Sequence, residues 1–270
     1  MSSIVVNSSH IISDNNSTFY VPFNSNTDLK NRKIALSSAS LYFSWRNITN
    51  KNNKMSYVWV DDVTYNITLP EGFYEVSDIY AYIQYIFRKN KHYLIDNNGD
   101  NVYYMELIPN SVLYSIDIIT YAVPMVLPDG YLLPDGAVWS LPADYKNPVL
   151  KIPSGINEIL GYEVDFQTDN NLSINTMLQY NSTTAPNVNP NSSVLVVCDE
   201  VNNEFSNRGV LSTIIPSVSI GSLIDSKPPQ LLFSKIKNGN YSGLTFRLFD
   251  MNFYPMEILD KEIVLNFIVE

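Results

Sequence analysis

The chain has 270 residues, 45% of them apolar and 16% charged, so it can bury a sizeable core and wholesale disorder is excluded. Its formal net charge of -10 argues against a surface that neutralises nucleic-acid phosphates, and its single cysteine excludes an internal disulfide or a cysteine-based metal cluster. The 19 Tyr, 12 Phe and 3 Trp suit half-buried pleated surfaces, and 15 Pro against only 10 Gly suggest loops closed by Asn and Pro rather than phosphate cradles.

Short strand-like runs recur along the whole chain. The first are Ser17 to Pro22 and Lys33 to Phe43, the latter with Ile34, Leu36, Ser38, Ser40 and Tyr42 predicted on one face. Met55 to Val60 and Val63 to Leu69 follow. Glu75 to Lys89 breaks the series: Val76, Ile79, Tyr80, Ile83, Ile86 and Phe87 recur at helical spacing. Glu75 and Asp78 at its start and Arg88 and Lys89 at its end suit the helix dipole, so the basic cluster Arg88 to Lys91 reads as a helix terminus rather than a nucleic-acid contact.

Beyond this helix the runs are Val102 to Ile108, Tyr114 to Ala122, Val194 to Val201, Val210 to Ile215, Leu231 to Ile236, Leu244 to Phe249 and Ile263 to Val269. A shorter helical turn is predicted over Ser154 to Leu160, with Ser154 as N-cap and Gly161 just past its end. Two stretches read as long loops, near 123–148 with its two Leu-Pro-Asp-Gly turns and near 168–193, rich in Asn, Ser, Thr and Pro. In the last run, Ile263, Leu265, Phe267 and Val269 share one face and are expected inside a sandwich, paired with a strand that turns Leu244, Phe246 and Leu248 inward. Alternating strand–helix units are absent, which disfavours a parallel nucleotide-binding sheet.

Chemistry finds little support. The histidines, His10 and His92, have no nucleophile elbow to serve, and His92 is expected at the surface. Cys198 lies in the apolar run Val194 to Val197, the place of a small buried hydrophobe. Asp96 to Asp100 resembles a calcium-loop fragment but also suits a tight turn, and the turn is preferred. Asp61 and Asp62 would point to opposite faces of a strand. No catalytic, cofactor-binding or metal site is assigned. Met1 to Asn7 lack the pattern of a signal peptide, and no stretch approaches the roughly 18 apolar residues of a membrane span, so a soluble chain made in a reducing compartment is expected.

Several segments resemble, in their order, the minor capsid (penton) proteins of virophages and polinton-like viruses. Pro70-Glu71-Gly72-Phe73-Tyr74, leading into the helix, is similar to that family's Pro-x-Gly-x-Tyr segment. Ile159-Leu160-Gly161-Tyr162 resembles its Leu-Gly-Phe turn, with Tyr in place of Phe. Cys198-Asp199-Glu200-Val201 resembles its Tyr-Cys-Asp-Leu/Ile-Val strand, and Leu244 to Asp250 with Glu262 to Val269 its closing strand pair. The Asn-rich segment after Phe166 departs from the pattern.

The resemblance implies an all-β fold, a single jelly roll of two four-stranded antiparallel sheets with one amphipathic helix and long loops, spanning 1–270 as one domain. It implies no enzyme and no cofactor, but a homopentamer at the five-fold vertices of an icosahedral capsid. The partners would be a double-jelly-roll major capsid protein and a host-surface receptor, with no direct nucleic-acid binding. Such a protein would be made in the host cytoplasm and reside in the virion. Periodicity alone gives only an antiparallel β sandwich with one helix, which leaves a carbohydrate-binding module or a viral fibre head as the alternative. A cupin-like enzyme is disfavoured because its histidine ligands are missing.

Overall fold

The computed structural model describes residues 2–170, 175–189, 191–202 and 208–270. In chain order the strands are β1 (Ser2–Val6), β2 (Thr18–Asp28), β3 (Lys33–Tyr42), β4 (Lys54–Val58), β5 (Thr64–Thr68), β6 (Leu94–Ile95), β7 (Asn101–Val102), β8 (Met105–Asn110), β9 (Ser115–Tyr121) and β10 (Val149–Ile152). They continue with β11 (Phe166–Gln167), β12 (Met177–Asn181), β13 (Val194–Cys198), β14 (Val201–Asn202), β15 (Val210–Ile214), β16 (Leu223–Ser226), β17 (Ser234–Ile236), β18 (Asn240–Phe249) and β19 (Val264–Val269). The helices are α1 (Val76–Asn90) and α2 (Ile156–Leu160). Two compact units emerge: residues 1–46 with 191–270, and residues 47–190.

The first unit is an all-β jelly roll. One sheet has the order β15-β13-β18-β2 and the other β1-β19-β3-β17-β14, with β16 also on β3. The chain crosses between sheets at nearly every step: β2 and β3, β13 and β14, β15 and β16, then β17, β18 and β19. The last strand of the four-stranded sheet, β18, pairs with its first, β2, the closure that winds antiparallel strands into a jelly roll. Residues 47–190 enter between β3 and β13 as a second unit.

β18 and β19 do not pair with each other, contrary to the expected closing pair. β18 lies between β13 and β2, and β19 between β1 and β3, so they belong to opposite sheets. Their inward faces are as predicted: Leu244, Phe246 and Leu248 are fully buried, as are Ile263, Leu265 and Phe267, with Val269 nearly so. Phe246 and Phe267 stack with centroids 4.3 Å apart. A face of ordinary strand residues thus meets across the sandwich rather than along a ladder.

β3 departs from the predicted single face. Ile34 and Leu36 are buried, but further on the buried residues are Ala39 and Leu41. Opposite β19 the register steps from Phe267↔Leu36 to Asn266↔Ser38, leaving Ser37 as an extra residue whose hydroxyl donates to the Asn266 carbonyl (3.0 Å). This bulge shifts the period-two pattern by one, so the second half of the strand turns its opposite set of side chains inward.

The second unit has its own core. Sheets β11-β10-β4-β5 and β12-β9-β8, with the small pair β6-β7, accompany both helices. α1 turns Val76, Ile79, Ile83, Ile86 and Phe87 into a cluster with Tyr57, Trp59, Leu107, Ile118 and Leu150. Glu75 and Asp78 form the capping box at its start, and Lys91 adopts the left-handed conformation at its end. α2 begins one residue later than predicted: its N-cap is Gly155 at φ 100°, and the Gly155 amide donates to the Asn157 side chain (2.9 Å). Within the stretch expected to be loop, Met177–Asn181 forms an edge strand on β9, because backbone pairing rather than apolar content holds it there.

Phe267→Ala is expected to cost about 3–5 kcal/mol, since it removes a fully buried ring and its cross-sheet partner contact. Asn266→Ala, on the outer face with one hydrogen bond to Ser38 (2.8 Å), is expected to cost well under half as much. Denaturant unfolding followed by circular dichroism checks the ranking, and a reversed order would displace β19 from the core.

Candidate functional site

The residues singled out in the sequence as candidates for chemistry have structural partners in the fold. His92 is not at the surface: it is only 1% exposed. Its amide donates to the Phe87 carbonyl (2.8 Å) while the Lys91 amide reaches Arg88, the paired bonds of a Schellman turn. The residue after the left-handed position folds back on the helix, which carries the imidazole inward. There it stacks on Trp59 (4.7 Å, 4°), meets Tyr65 edge-on (4.5 Å), and its Nδ1 lies 2.7 Å from the Tyr57 hydroxyl. Burial holds its pKa down at about 4, against a smaller opposing pull from Asp61. Tyr57 itself is pushed up by burial.

Cys198 is buried as expected. Burial, and then the Glu200 carboxylate 3.3 Å from its Sγ, push the thiol well above its ordinary value, the opposite of what a nucleophile needs. His10 accepts from the Asn7 amide in a short helical turn. Asp61 and Asp62 lie in the β4–β5 turn, not in a strand, because Asp62 takes a left-handed φ of 64° there. Asp61 accepts from Tyr65 (2.7 Å) and Asp62 pairs with Lys146. Asp96 accepts from the amides of Asn98 and Asp100 (2.9 Å each), which makes 96–100 the predicted tight turn. Among the described residues no group of three or more His, Cys, Asp or Glu could hold a metal ion.

One buried acid carries no sequence signal. Asp117 on β9 is 5% exposed and accepts from Asn110 (2.9 Å), Ser115 (3.1 Å), Gln179 (3.0 Å) and Asn181 (2.8 Å). The donors come from β8, β9 and β12, so the carboxylate ties three strands together with neutral hydrogen bonds. Only knowledge of which strands pair brings these residues into one place.

The motif residues also prove to be joints. Gly72 exchanges backbone hydrogen bonds with Ile48 (3.0 Å each), and Tyr74 is gripped by Asn47, which accepts from its amide (2.8 Å) and donates to its carbonyl (2.7 Å). Gly161 ends α2 at φ 77°, where any Cβ would run into the Thr184 carbonyl. Tyr162 is buried and its hydroxyl donates to the Ile116 carbonyl (2.7 Å). Cys198 to Val201 forms the corner between the two jelly-roll sheets, held by the Arg247–Asp199 pair (2.9 Å) and by Glu200 accepting from the Thr245 amide (3.0 Å).

What the surface offers is contact area. The β8–β9 hairpin exposes Val112, Leu113 and Tyr114 at its tip, at 90%, 62% and 73%. Asn110 holds that tip by accepting from the Val112 and Leu113 amides. In the jelly roll Ile12, Ile215, Leu232, Met251 and Tyr254 are all more than half exposed. Of these, Val112, Leu113 and Tyr114 are consecutive, so their exposed apolar area is continuous along the chain. No helix among the described residues is long and apolar enough to cross a membrane.

No protein-family model and no curated protein matches the sequence. Among solved structures, the chain is similar to the mavirus penton protein (TM-score 0.44, 11% identity, covering 100% of this chain and 97% of that one). It is also similar to a chain in the structure of the Sputnik virophage (TM-score 0.38, 13% identity, covering 93% and 91%). At this level neither likeness assigns a role to the chain, and the jelly roll rests on its own strand order.

Two predictions follow from the buried groups. The fold favours neutral His92, so the unfolded chain takes up the proton first: His92's contribution to stability is complete above about pH 6.5 and is lost as pH falls towards 4, up to about 3 kcal/mol. In unfolding curves across that window, His92→Gln should flatten the pH dependence relative to the natural chain; equal slopes would remove His92 from the buried cluster. Cys198 should stay silent to a thiol reagent until the chain unfolds, and Cys198→Ser should cost roughly 1–3 kcal/mol. Rapid labelling of the folded protein would contradict the burial of the thiol.

Proposed function

We propose that this chain is a structural protein of a virus particle, a minor capsid (penton) protein that does no chemistry. The observation that carries the reading is the jelly-roll strand order, with the segments that resemble the virophage family sitting at its sheet-to-sheet corner and in the facing strands β18 and β19. The same resemblance runs through the joints at Gly72 and Gly161 in the second unit. In this reading the whole chain, residues 1–270, serves as one capsid subunit.

Five copies form a ring at each five-fold vertex. Such a ring closes through heterologous contacts, one patch on each copy meeting a different patch on the next. The exposed apolar side chains of the jelly roll supply candidate contact area. A major capsid protein surrounds the ring, and the apolar hairpin tip at Val112 to Tyr114 is available to a receptor or neighbouring protein. The chain carries a net -10, so copies repel one another and must associate mainly through apolar and aromatic contact.

Mass measurement in solution, alone and after mixing with the major capsid protein, tests the reading. A five-subunit species that changes little with salt is expected. A monomer that never joins shells would refute it, and a stable trimer would instead indicate a fibre head.

A further inference from the structure

The two sheets of the jelly roll end on one side in edge strands of unequal protection. β2 closes the four-stranded sheet and is guarded in three ways. Pro22 sits within it, the ladder to β18 skips from Gly243↔Pro22 to Tyr241↔Thr27, and its start is covered by Ile11 and Ile12, whose amide donates to Thr18 (2.9 Å). Proline, a bulge and a covering segment are the devices by which proteins keep edges from recruiting other strands.

β1 has none of them. It pairs on one side with β19, from Ser2↔Val269 to Val6↔Leu265, and no backbone hydrogen bond reaches its other side among the described residues. Its sequence, Ser-Ser-Ile-Val-Val, contains no charge and no proline. Between β1 and β2 lies a groove of about 500 Å³ whose lining mixes apolar residues, Ile4, Val21 and Phe23 among them, with polar ones that include Thr27, Asp28 and Arg32. Ile4, opposite the buried Phe267, turns to the groove side, whereas Val5, opposite Asn266, turns to the outer face and is 49% exposed.

We propose that β1 is a docking edge for an extended segment of another polypeptide, which adds to the sheet antiparallel to β1 and lays alternate apolar side chains into the groove. The unused row of amides and carbonyls on β1 selects an extended backbone, since no other partner satisfies alternate donors and acceptors at strand spacing. The direction and charge of the segment follow from Arg32. Ser2 and Ile34 both pair with Val269, so Arg32 lies at the Ser2 end of β1. It is exposed and makes no ion pair among the described residues, whereas neighbouring Lys33 is engaged by Glu270 (3.5 Å) and the carboxylate of Asp28, in the same lining, accepts from the Lys30 amide (2.9 Å). A strand antiparallel to β1 ends at that point, so an acidic residue or a chain-terminal carboxylate there meets the guanidinium. The docking edge does not depend on the capsid role, because a chain that never forms a ring still presents it.

The test uses the full chain and a fluorescein-labelled peptide, Thr-Val-Thr-Ile-Glu-Val-Glu with a free carboxylate, followed by fluorescence anisotropy. Saturable binding is expected, with affinity falling about tenfold or more for Ile4→Lys and for Arg32→Glu. The amide form of the peptide with Gln in place of Glu should bind the natural chain more weakly but should lose nothing further on Arg32→Glu. Hydrogen exchange should show new protection confined to β1 amides. No saturable binding, binding untouched by both substitutions, or protection elsewhere would each overturn the proposal. Arg32 is exposed and Ile4 half-buried, and if Ile4→Lys fails to fold, Arg32→Glu and the exchange pattern decide alone.

Discussion

The jelly roll depends on apolar side chains meeting across the sandwich, and the Phe246–Phe267 stack is the centre of that contact. Each ring sits on an interior strand of its own sheet, β18 between β13 and β2, and β19 between β1 and β3. Both rings are fully buried, and burying such a side chain is worth roughly 1.5–3 kcal/mol. The stack therefore fixes register: a slip of one residue in either strand would turn its whole buried row to solvent. The bulge at Ser37 is best understood as an adjustment to that constraint. It lets β3 follow Leu36 inward at one end and Leu41 inward at the other while β19 keeps an unbroken alternation beside it.

Where strands lie was largely legible in the residues, because period-two alternation is local. The inward rows of β18 and β19 came out as expected for that reason. Their partners did not, because nothing in either segment says which sheet it joins; in a jelly roll consecutive strands cross between sheets, so neighbours in sequence need not be neighbours in a ladder. The helix α1 was legible from its stripe and charges, whereas His92 was missed since a polar residue after a helix reads as surface. The signal was there in the geometry of helix ends: past a left-handed residue, the next one returns to the helix. β12 was illegible for a different reason, being an Asn-containing edge strand held by backbone pairing and by the Asp117 carboxylate on β9.

The resemblance motifs mark places where the backbone has few alternatives. Gly161 needs a left-handed turn against the Thr184 carbonyl, Gly72 a close bridge to Ile48, and Glu200 a carboxylate that caps the Thr245 amide at the sheet corner. Such residues report on how a chain folds, and any function argued from them passes through the fold rather than through a reacting group.

Charge narrows the ways in which such surfaces can be joined. A chain at -10 meets its own copies and other acidic proteins against a repulsion that falls off within about 8–10 Å at physiological salt. Contacts made by exposed ion pairs gain little there, since an isolated surface pair is worth only about 0–1 kcal/mol. Apolar burial and backbone hydrogen bonding carry no net charge, so they add nothing to the repulsion they have to overcome. An uncharged edge such as β1, bordered by a partly apolar groove and by Arg32, which makes no ion pair among the described residues, is a means of association that the protein's charge penalises little. The guarded edge β2 beside it shows that this exposure is selective, because the same side of the jelly roll protects one sheet against strand addition and leaves the other open.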